Sequence, residues 1–173
     1  MQGDDRVNSG FMGPNSNQDV TQLVDDITVM RLLKTAMIPQ LRGKEQLWEF
    51  IVVRERDALD EIIGVHECYP MLKEVSTALV ICVDPARSQY PSGYWIQDCA
   101  VTIQNILLAA VSNNLSACWL GIYPQPQRVE VLQRIFNMPD HILPFAVITL
   151  NHLTGEPRLP EQWSEIRLRH GKW

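Results

Sequence analysis

The chain has 173 residues, of which 46% are hydrophobic, and a formal net charge of -5 at pH 7. This length and apolar content fit one domain with a substantial buried core, whereas the acidic balance argues against nucleic acid or an anionic membrane as a partner of the whole chain. No apolar run reaches the roughly 18 residues that a membrane span needs, and the N-terminus lacks the basic and apolar regions of a signal peptide, so we expect a cytoplasmic protein.

Two kinds of apolar periodicity alternate along most of the chain. Residues 1–22 show neither and are rich in Gly, Asn, Asp, Ser and Gln, which predicts a flexible N-terminal arm. Residues 23–150 are expected to form the core, with helices where apolar residues recur every three or four positions and strands where they run continuously. In chain order, we predict a helix at 24–37, a strand at 48–54, helices at 56–66 and 71–75, a strand at 77–84, a helix at 94–113, a strand at 116–122, a helix at 126–136 and a strand at 142–150.

The helix predicted at 94–113 is apolar on nearly every side, which is typical of a helix at the centre of a domain. Gln104 and Asn105 are polar exceptions, and we expect them to make hydrogen bonds in the core or at an interface. Together with the alternation of helices and strands, this helix predicts an α+β fold in which helices cover a mixed central sheet.

A turn follows the strand predicted at 116–122, and residues 119–124 read WLGIYP. Because Gly121 has no side chain, a flat cofactor can approach its backbone closely, although a plain strand-ending glycine before a proline turn fits the same pattern. Trp119 is expected in the core. Tyr94 and Trp95 are expected to pack at the start of their helix, with a lining of the substrate mouth as the alternative.

The cysteines and the acidic side chains do not form a recognisable catalytic set. Cys68, Cys82, Cys99 and Cys118 include no CxxC pair and lie mostly in apolar runs, which favours buried, reduced thiols over disulfides or a metal site. No Ser-His-Asp, paired-carboxylate or Cys-His arrangement is evident. We therefore predict neither a metal ion nor a catalytic side chain.

Residues 151–173 form a tail beyond the last predicted core strand. It carries the large apolar side chains of Trp163, Ile166, Leu168 and Trp173, which need a surface to cover. That surface is either the body of the same chain or a second subunit. We favour wrapping around a partner subunit, because exposed apolar groups usually mark interfaces.

Five segments resemble, in order and spacing, those of the nitroreductase family, and together they span roughly residues 24–173. WEFIVV, at 48–53, looks like that family's PWEFIVV strand, and DCAVTIQNILLAA, at 98–110, is similar to its central dimer helix. WLGIYP resembles its W.G.yP strand and turn. The remaining likenesses are Arg128-Val129 with Met138-Pro139-Asp140, which look like its Rv..l..lP segment, and residues 167–173, which are similar to its closing RvhyerW.

The resemblance implies a homodimer with the nitroreductase fold, in which the long helix and FMN lie at the dimer interface. It further implies an oxidoreductase that passes hydride from NAD(P)H through the flavin to a nitroaromatic, a quinone or a similar small acceptor. The cofactor would then carry the chemistry, in keeping with the lack of catalytic side chains. The FMN-binding residues expected on this basis are Arg167, Leu120, Gly121, Ile122 and Gln46, with Lys44 and Arg42 as further positive groups.

Two segments depart from the family pattern. Residues 13–17 read GPNSN where the family has an RRSIR-like motif whose arginines hold the flavin phosphate. In the segment that leads to Trp48, Lys44 stands in place of an asparagine and Leu47 in place of a proline, while Gln46 and Trp48 keep their positions.

The lost arginines open a second interpretation. Each charge-assisted hydrogen bond to a phosphate contributes about 1.5–3 kcal/mol, so two missing arginines weaken FMN binding by orders of magnitude unless other groups compensate. Arg167 is the candidate at the phosphate, and Arg42 and Lys44 are candidates near the ring. Without compensation, the chain would be a degenerate nitroreductase-fold dimer with weak or no FMN binding, acting as a ligand-binding or partner protein.

Overall fold

In the part of the chain that the structure describes, five strands form a central sheet, and long apolar runs account for four of them. The computed structural model describes residues 18–19, 21–37, 47–65, 75–88, 93–154 and 169–171. In chain order the elements are β1 (Gln18–Asp19), α1 (Asp26–Ala36), β2 (Trp48–Val53), α2 (Arg56–Gly64), β3 (Thr77–Val83), α3 (Tyr94–Ser112), β4 (Leu115–Gly121), α4 (Pro126–Ile135) and β5 (Leu143–Leu153).

Strand β5 lies inside the sheet, paired with β3 along one edge and with β4 along the other. Strand β2 pairs with the outer edge of β3, and β1 pairs Gln18 with Leu153 and Asp19 with His152. The α+β class is confirmed. All of these pairings are antiparallel, however, so the expected mixed sheet is corrected for the described strands. The continuous apolar runs arise because this antiparallel sheet is covered on both faces, a pattern more typical of parallel sheets.

The two faces of the sheet contribute to two separate apolar cores. Successive side chains of β3 alternate between them, as the pleat of a strand requires, and every residue of β3 is buried. Leu79 and Ile81 face the layer formed by α1 and α3, whereas Val80 and Cys82 face the layer formed by α2 and α4. Each face thus removes its own set of apolar side chains from water.

Helix α3 is the main cover of the first face. Its buried side chains recur at three- and four-residue steps and include Cys99, Ile103, Ile106 and Ala110. Helix α1 packs beside it and is capped at its N-terminus by Asp25, whose carboxylate accepts a hydrogen bond from the Thr28 N–H at 2.9 Å. Among the described residues, no helix is long and apolar enough to cross a membrane.

The sheet extends beyond the core boundaries expected from the sequence. Strand β5 continues through Leu153 rather than stopping at residue 150, and β1 lies within the segment expected to be a flexible arm. The extension pairs His152 and Leu153 with β1, and the buried side-chain oxygen of Asn151 accepts a hydrogen bond from the Ser76 N–H at 2.8 Å. The helix expected at 71–75 lies almost wholly outside the described residues, and so does most of the tail at 151–173.

Removal of the Ile103 side chain is expected to destabilise the fold strongly. Ile103 is fully buried between α3 and the sheet, so Ile103→Ala should lower the free energy of unfolding by about 2–5 kcal/mol. The neighbouring Gln104 is exposed, and Gln104→Ala should change it by no more than about 0.5 kcal/mol. Urea unfolding followed by circular dichroism, at one protein concentration, measures both; equal midpoints would contradict the assignment of α3 to the core.

Candidate functional site

The end of strand β4 presents one residue to solvent between two buried ones. Leu120 is 1% exposed and Ile122 is 0% exposed, and both side chains lie in the core formed with α2 and α4. Gly121, between them, is partly exposed and faces the opposite side of the sheet. Of these three predicted cofactor contacts, the structure therefore brings only Gly121 to an accessible position.

The space beside Gly121 is open. A Cβ atom built on this residue would meet no heavy atom within 4 Å, and Gly121 does not adopt a positive φ angle. Neither backbone strain nor close packing within the chain therefore demands glycine here. An open Cα at the end of a buried strand fits the close approach of a flat ligand, which a side chain would block.

The expectation that Trp119 lies in the core is wrong, because this residue is 39% exposed. It pairs with Ile148 across β4 and β5, and Gly121 pairs with Ala146 two residues further along. Since strand side chains alternate, the indole and the open Cα lie on the same face of the sheet. Strand β4 pairs with β5 alone among the described strands, which explains why a large side chain on it is left partly uncovered.

An aromatic cluster flanks the other side of Gly121. The Trp95 ring lies edge-on to Tyr123 at a centroid distance of 5.1 Å and to Phe145 at 6.0 Å, while Tyr123 and Phe145 stack at 6.1 Å. Trp95 thus packs at the start of α3, as expected, and Tyr94 is exposed beside it. Contacts of this kind fix ring positions and contribute roughly 0.5–1.5 kcal/mol each beyond apolar burial.

Hydrogen bonds hold the backbone after β4 in one conformation. The Ile122 and Tyr123 N–H groups both donate to the Phe145 carbonyl, at 3.2 and 3.0 Å. The Ile122 carbonyl accepts from the Gln125 N–H at 3.0 Å. With its polar groups satisfied by the chain itself, Ile122 supports the turn instead of offering a contact to a ligand.

Arg128 is the contact that the sequence reasoning missed. Its Nη1 donates to the Gly121 carbonyl at 2.8 Å, and the side chain is half-buried. No ion pair joins this guanidinium to a carboxylate among the described residues. The available signal was the arginine of the Rv..l..lP-like segment, which lies seven residues after Gly121, but that resemblance alone did not indicate what it contacts.

Polar groups on α3 are less completely paired than expected. Gln104 is exposed, and the Asn105 Nδ2 is buried without a hydrogen-bond partner among the described residues, as is the Thr102 Oγ1. Among the described residues, the hydrogen bond expected for Asn105 is therefore not made by its Nδ2 group. Both groups lie on the helix that the resemblance places at a dimer interface.

The other predicted site residues lie outside the part of the chain that the structure describes. They are Arg42, Lys44, Gln46 and Arg167, and the same holds for residues 13–17. Their roles at the phosphate and the ring stay predictions. Trp48, two residues after Gln46, is buried and donates from Nε1 to the Met37 sulfur at 3.1 Å.

The described residues offer no side chain suited to nucleophilic or metal chemistry at this place. Burial, with a smaller contribution from Glu49, raises the pKa of the Cys82 thiol to about 12. Burial and the nearby Asp98 likewise raise the pKa of Cys99 to about 12. Within the described ranges, no group of three His, Cys, Asp or Glu residues could hold a metal ion.

The donor set at the end of β4 fits the ring system of the implied flavin. It combines a bare backbone position, an exposed indole on the same face, a turn fixed by hydrogen bonds, and a nearby cation without a carboxylate partner in the described residues. Sites for flat cofactors are typically built in this way, mostly apolar with a few placed polar groups.

Comparisons with known proteins give a consistent result. A model of the Nitroreductase family matches residues 66–150. A protein of Methanothermobacter thermautotrophicus named "Putative NADH dehydrogenase/NAD(P)H nitroreductase" is 38% identical over 150 residues, covering 87% of this chain and 78% of that protein. A Bacillus subtilis protein named "FMN reductase (NADPH)" is 25% identical, covering 82% of this chain and 64% of that protein. The solved structure of a "Putative NADH Oxidase" from Clostridium acetobutylicum superposes with a TM-score of 0.84 at 29% identity, covering 97% of this chain and 99% of that one.

Cys82 and Cys99 are expected to resist thiol reagents in the native protein. Their raised pKa values keep both thiols protonated at pH 8, whereas unfolded cysteines, with an ordinary value of 9.0, react readily. For the same reason, their contribution to stability is complete below about pH 9 and is lost as the pH rises toward 12. Labelling at pH 8 with and without 6 M urea, located by mass spectrometry, tests this expectation; native labelling of either residue would contradict it.

Proposed function

Because this chain belongs to the nitroreductase family of oxidoreductases, we propose that it binds FMN at the Gly121 face and uses NAD(P)H to reduce a small acceptor such as a nitroaromatic or a quinone. The family membership expected from the sequence is confirmed by the 38% identical relative and the family model. The observation that carries the proposal is the open Cα of Gly121 beside an exposed indole. We further propose a cytoplasmic location.

The described residues would bind and orient the ring system. Gly121 allows the ring to approach the backbone, and the partly exposed Trp119 on the same sheet face offers apolar cover that removes water. The Trp95–Tyr123–Phe145 cluster keeps the turn in place. The chemistry that bound FMN supplies is reversible hydride acceptance, which side chains of this chain cannot perform.

The phosphate end of the cofactor would depend on residues outside the described ranges. We propose Arg167 as the phosphate ligand, and Arg42, Lys44 and Gln46 as contacts nearer the ring. The GPNSN sequence at 13–17 supports the competing proposal, a dimer that retains the fold but holds FMN weakly and binds another ligand or partner. Retention of FMN by the purified protein separates the two proposals.

A homodimer is proposed from the apolar surface of α1. Ile27 and Met30, three residues apart on α1, are 69% and 52% exposed and lie on one outward face of the helix, and Leu23, just before the helix, is 52% exposed. Leu108, on the neighbouring α3, is also exposed. Large apolar side chains grouped on adjacent helices usually mark an interface, and a second copy of the chain is the partner that the family resemblance implies.

Gly121→Ala is expected to reduce FMN binding without harming the fold. The new methyl group enters open space, so the melting temperature of the apoprotein should change little, whereas the FMN dissociation constant should rise at least about tenfold, since a 1.4 kcal/mol steric cost already gives that factor. Gly64→Ala is a matched control, because its Cβ also meets nothing within 4 Å.

The measurement is FMN fluorescence quenching together with the flavin absorption retained after desalting. If wild type retains FMN and Gly121→Ala binds it as tightly as Gly64→Ala does, Gly121 is a plain strand-ending glycine. If wild type is colourless after incubation with FMN and desalting, the flavin enzyme is ruled out and the competing proposal gains support.

Met30→Glu is expected to weaken the proposed dimer. A charge buried in an apolar interface is strongly unfavourable, so gel filtration at micromolar concentration should show a dimer for wild type and a shift toward monomer for the variant. Glu61→Lys, at an exposed position of α2 on the other face of the sheet, should stay dimeric. A monomeric wild type, or equal elution of both variants as dimers, would contradict this interface.

A further inference from the structure

Arg128 reaches from one layer of the fold to the proposed site in another. It lies in the first turn of α4, a helix whose Leu132 belongs to the core on the far face of the sheet. The start of α4 is fixed, because the Arg128 and Val129 N–H groups both donate to the Gln125 carbonyl at 3.1 Å. From there the guanidinium extends to the Gly121 carbonyl at 2.8 Å.

The peptide unit between Gly121 and Ile122 is held at both of its polar ends. Its carbonyl accepts from Arg128, and its N–H donates to the Phe145 carbonyl at 3.2 Å. These two bonds run to different elements, α4 and β5. They therefore fix the plane of the peptide, and a glycine with no side chain has few other means of restricting its backbone.

The charge of Arg128 is a second property of this contact. The side chain is half-buried, and no carboxylate neutralises it among the described residues. A guanidinium cannot lose its proton at any working pH. Any ligand that lies over Gly121 is therefore next to a fixed positive charge, which stabilises negative charge that the ligand acquires.

We propose that Arg128 is a positioning residue for the cofactor, fixing the Gly121 peptide against which the flavin ring lies and favouring its reduced, more negative form. The inference rests on the proposed binding of FMN at Gly121. Arg128 acts through the Gly121 carbonyl and need not touch the ring. This role is inferred from the Arg128–Gly121 hydrogen bond and not from the resemblance to the family.

Three variants test the inference. Arg128→Met removes both the hydrogen bond and the charge, Arg128→Lys keeps the charge and one donor, and Arg134→Met removes an exposed arginine from the same helix as the control. For each we would measure the FMN dissociation constant, the midpoint potential of bound FMN, and the melting temperature of the apoprotein. The potential separates positioning from a purely structural role, which would move the melting temperature alone.

Arg134→Met should match wild type. Arg128→Met should bind FMN about tenfold more weakly and give bound FMN a more negative potential, because a charge-assisted hydrogen bond is lost. Arg128→Lys should recover part of both changes. If Arg128→Met fails to fold, Arg128→Gln takes its place, because it removes the charge while it keeps an N–H donor.

Two negative outcomes are distinguishable. If wild type does not retain FMN, the proposed function fails and the inference with it. If wild type retains FMN while Arg128→Met, or Arg128→Gln where the Met variant does not fold, matches Arg134→Met in affinity and potential, the proposed function stands and the role of Arg128 is overturned.

Discussion

The carbonyl of Phe145 is the point on which the proposed site depends. It accepts hydrogen bonds from two consecutive N–H groups, those of Ile122 and Tyr123, and so joins the chain after β4 to the central strand β5. Strand β5 is itself paired on both edges and buried on both faces over most of its length. Such a strand is among the last parts of a fold to open. The turn after β4 is rigid as well, although it lies at the edge of the sheet, because its two N–H groups are bonded to this strand.

For the proposed flavin site, a rigid turn matters because it leaves little backbone to be ordered when the ligand binds. Any ordering of backbone on binding is subtracted from the affinity, and each fixed residue costs roughly 1–2 kcal/mol. Here the turn is fixed by hydrogen bonds to β5 and by the Trp95–Tyr123 contact. If the chain binds FMN as proposed, it gains most from this rigidity, since residues 13–17 read GPNSN and preorganised contacts at the ring would offset part of the missing attraction at the phosphate.

The sequence predicted what periodicity can encode. The strand at 48–54 and the helix at 94–113 agree with β2 and α3 to within a residue, because buried strands and helices leave regular patterns of apolar residues in the sequence.

The direction of strand pairing was missed, since an antiparallel sheet covered on both faces has the same apolar runs as a parallel one. Strand β1 was missed because two residues are too few to show a period. Trp119 was wrongly predicted to be buried, because the sequence does not reveal that β4 pairs with β5 alone among the described strands and so leaves this side chain partly uncovered. The Arg128 contact depends on how the end of β4 and the start of α4 meet in space.

Successive side chains of β4 point to opposite faces of the sheet, so one face anchors the end of the strand and the other forms the proposed site. Leu120 and Ile122 are anchored in the core of α2 and α4, and Arg128 approaches from that same layer. Trp119 and Gly121 face the other way, toward the side covered by α1 and α3. The end of β4 is therefore fixed on the face covered by α2 and α4, whereas its other face is open at Gly121. A site built in this way does not need its own buried polar residues to stay in shape, because the opposite core restrains its backbone. The same division explains how Gly121 can stay exposed and without strain beside a residue that is fully buried.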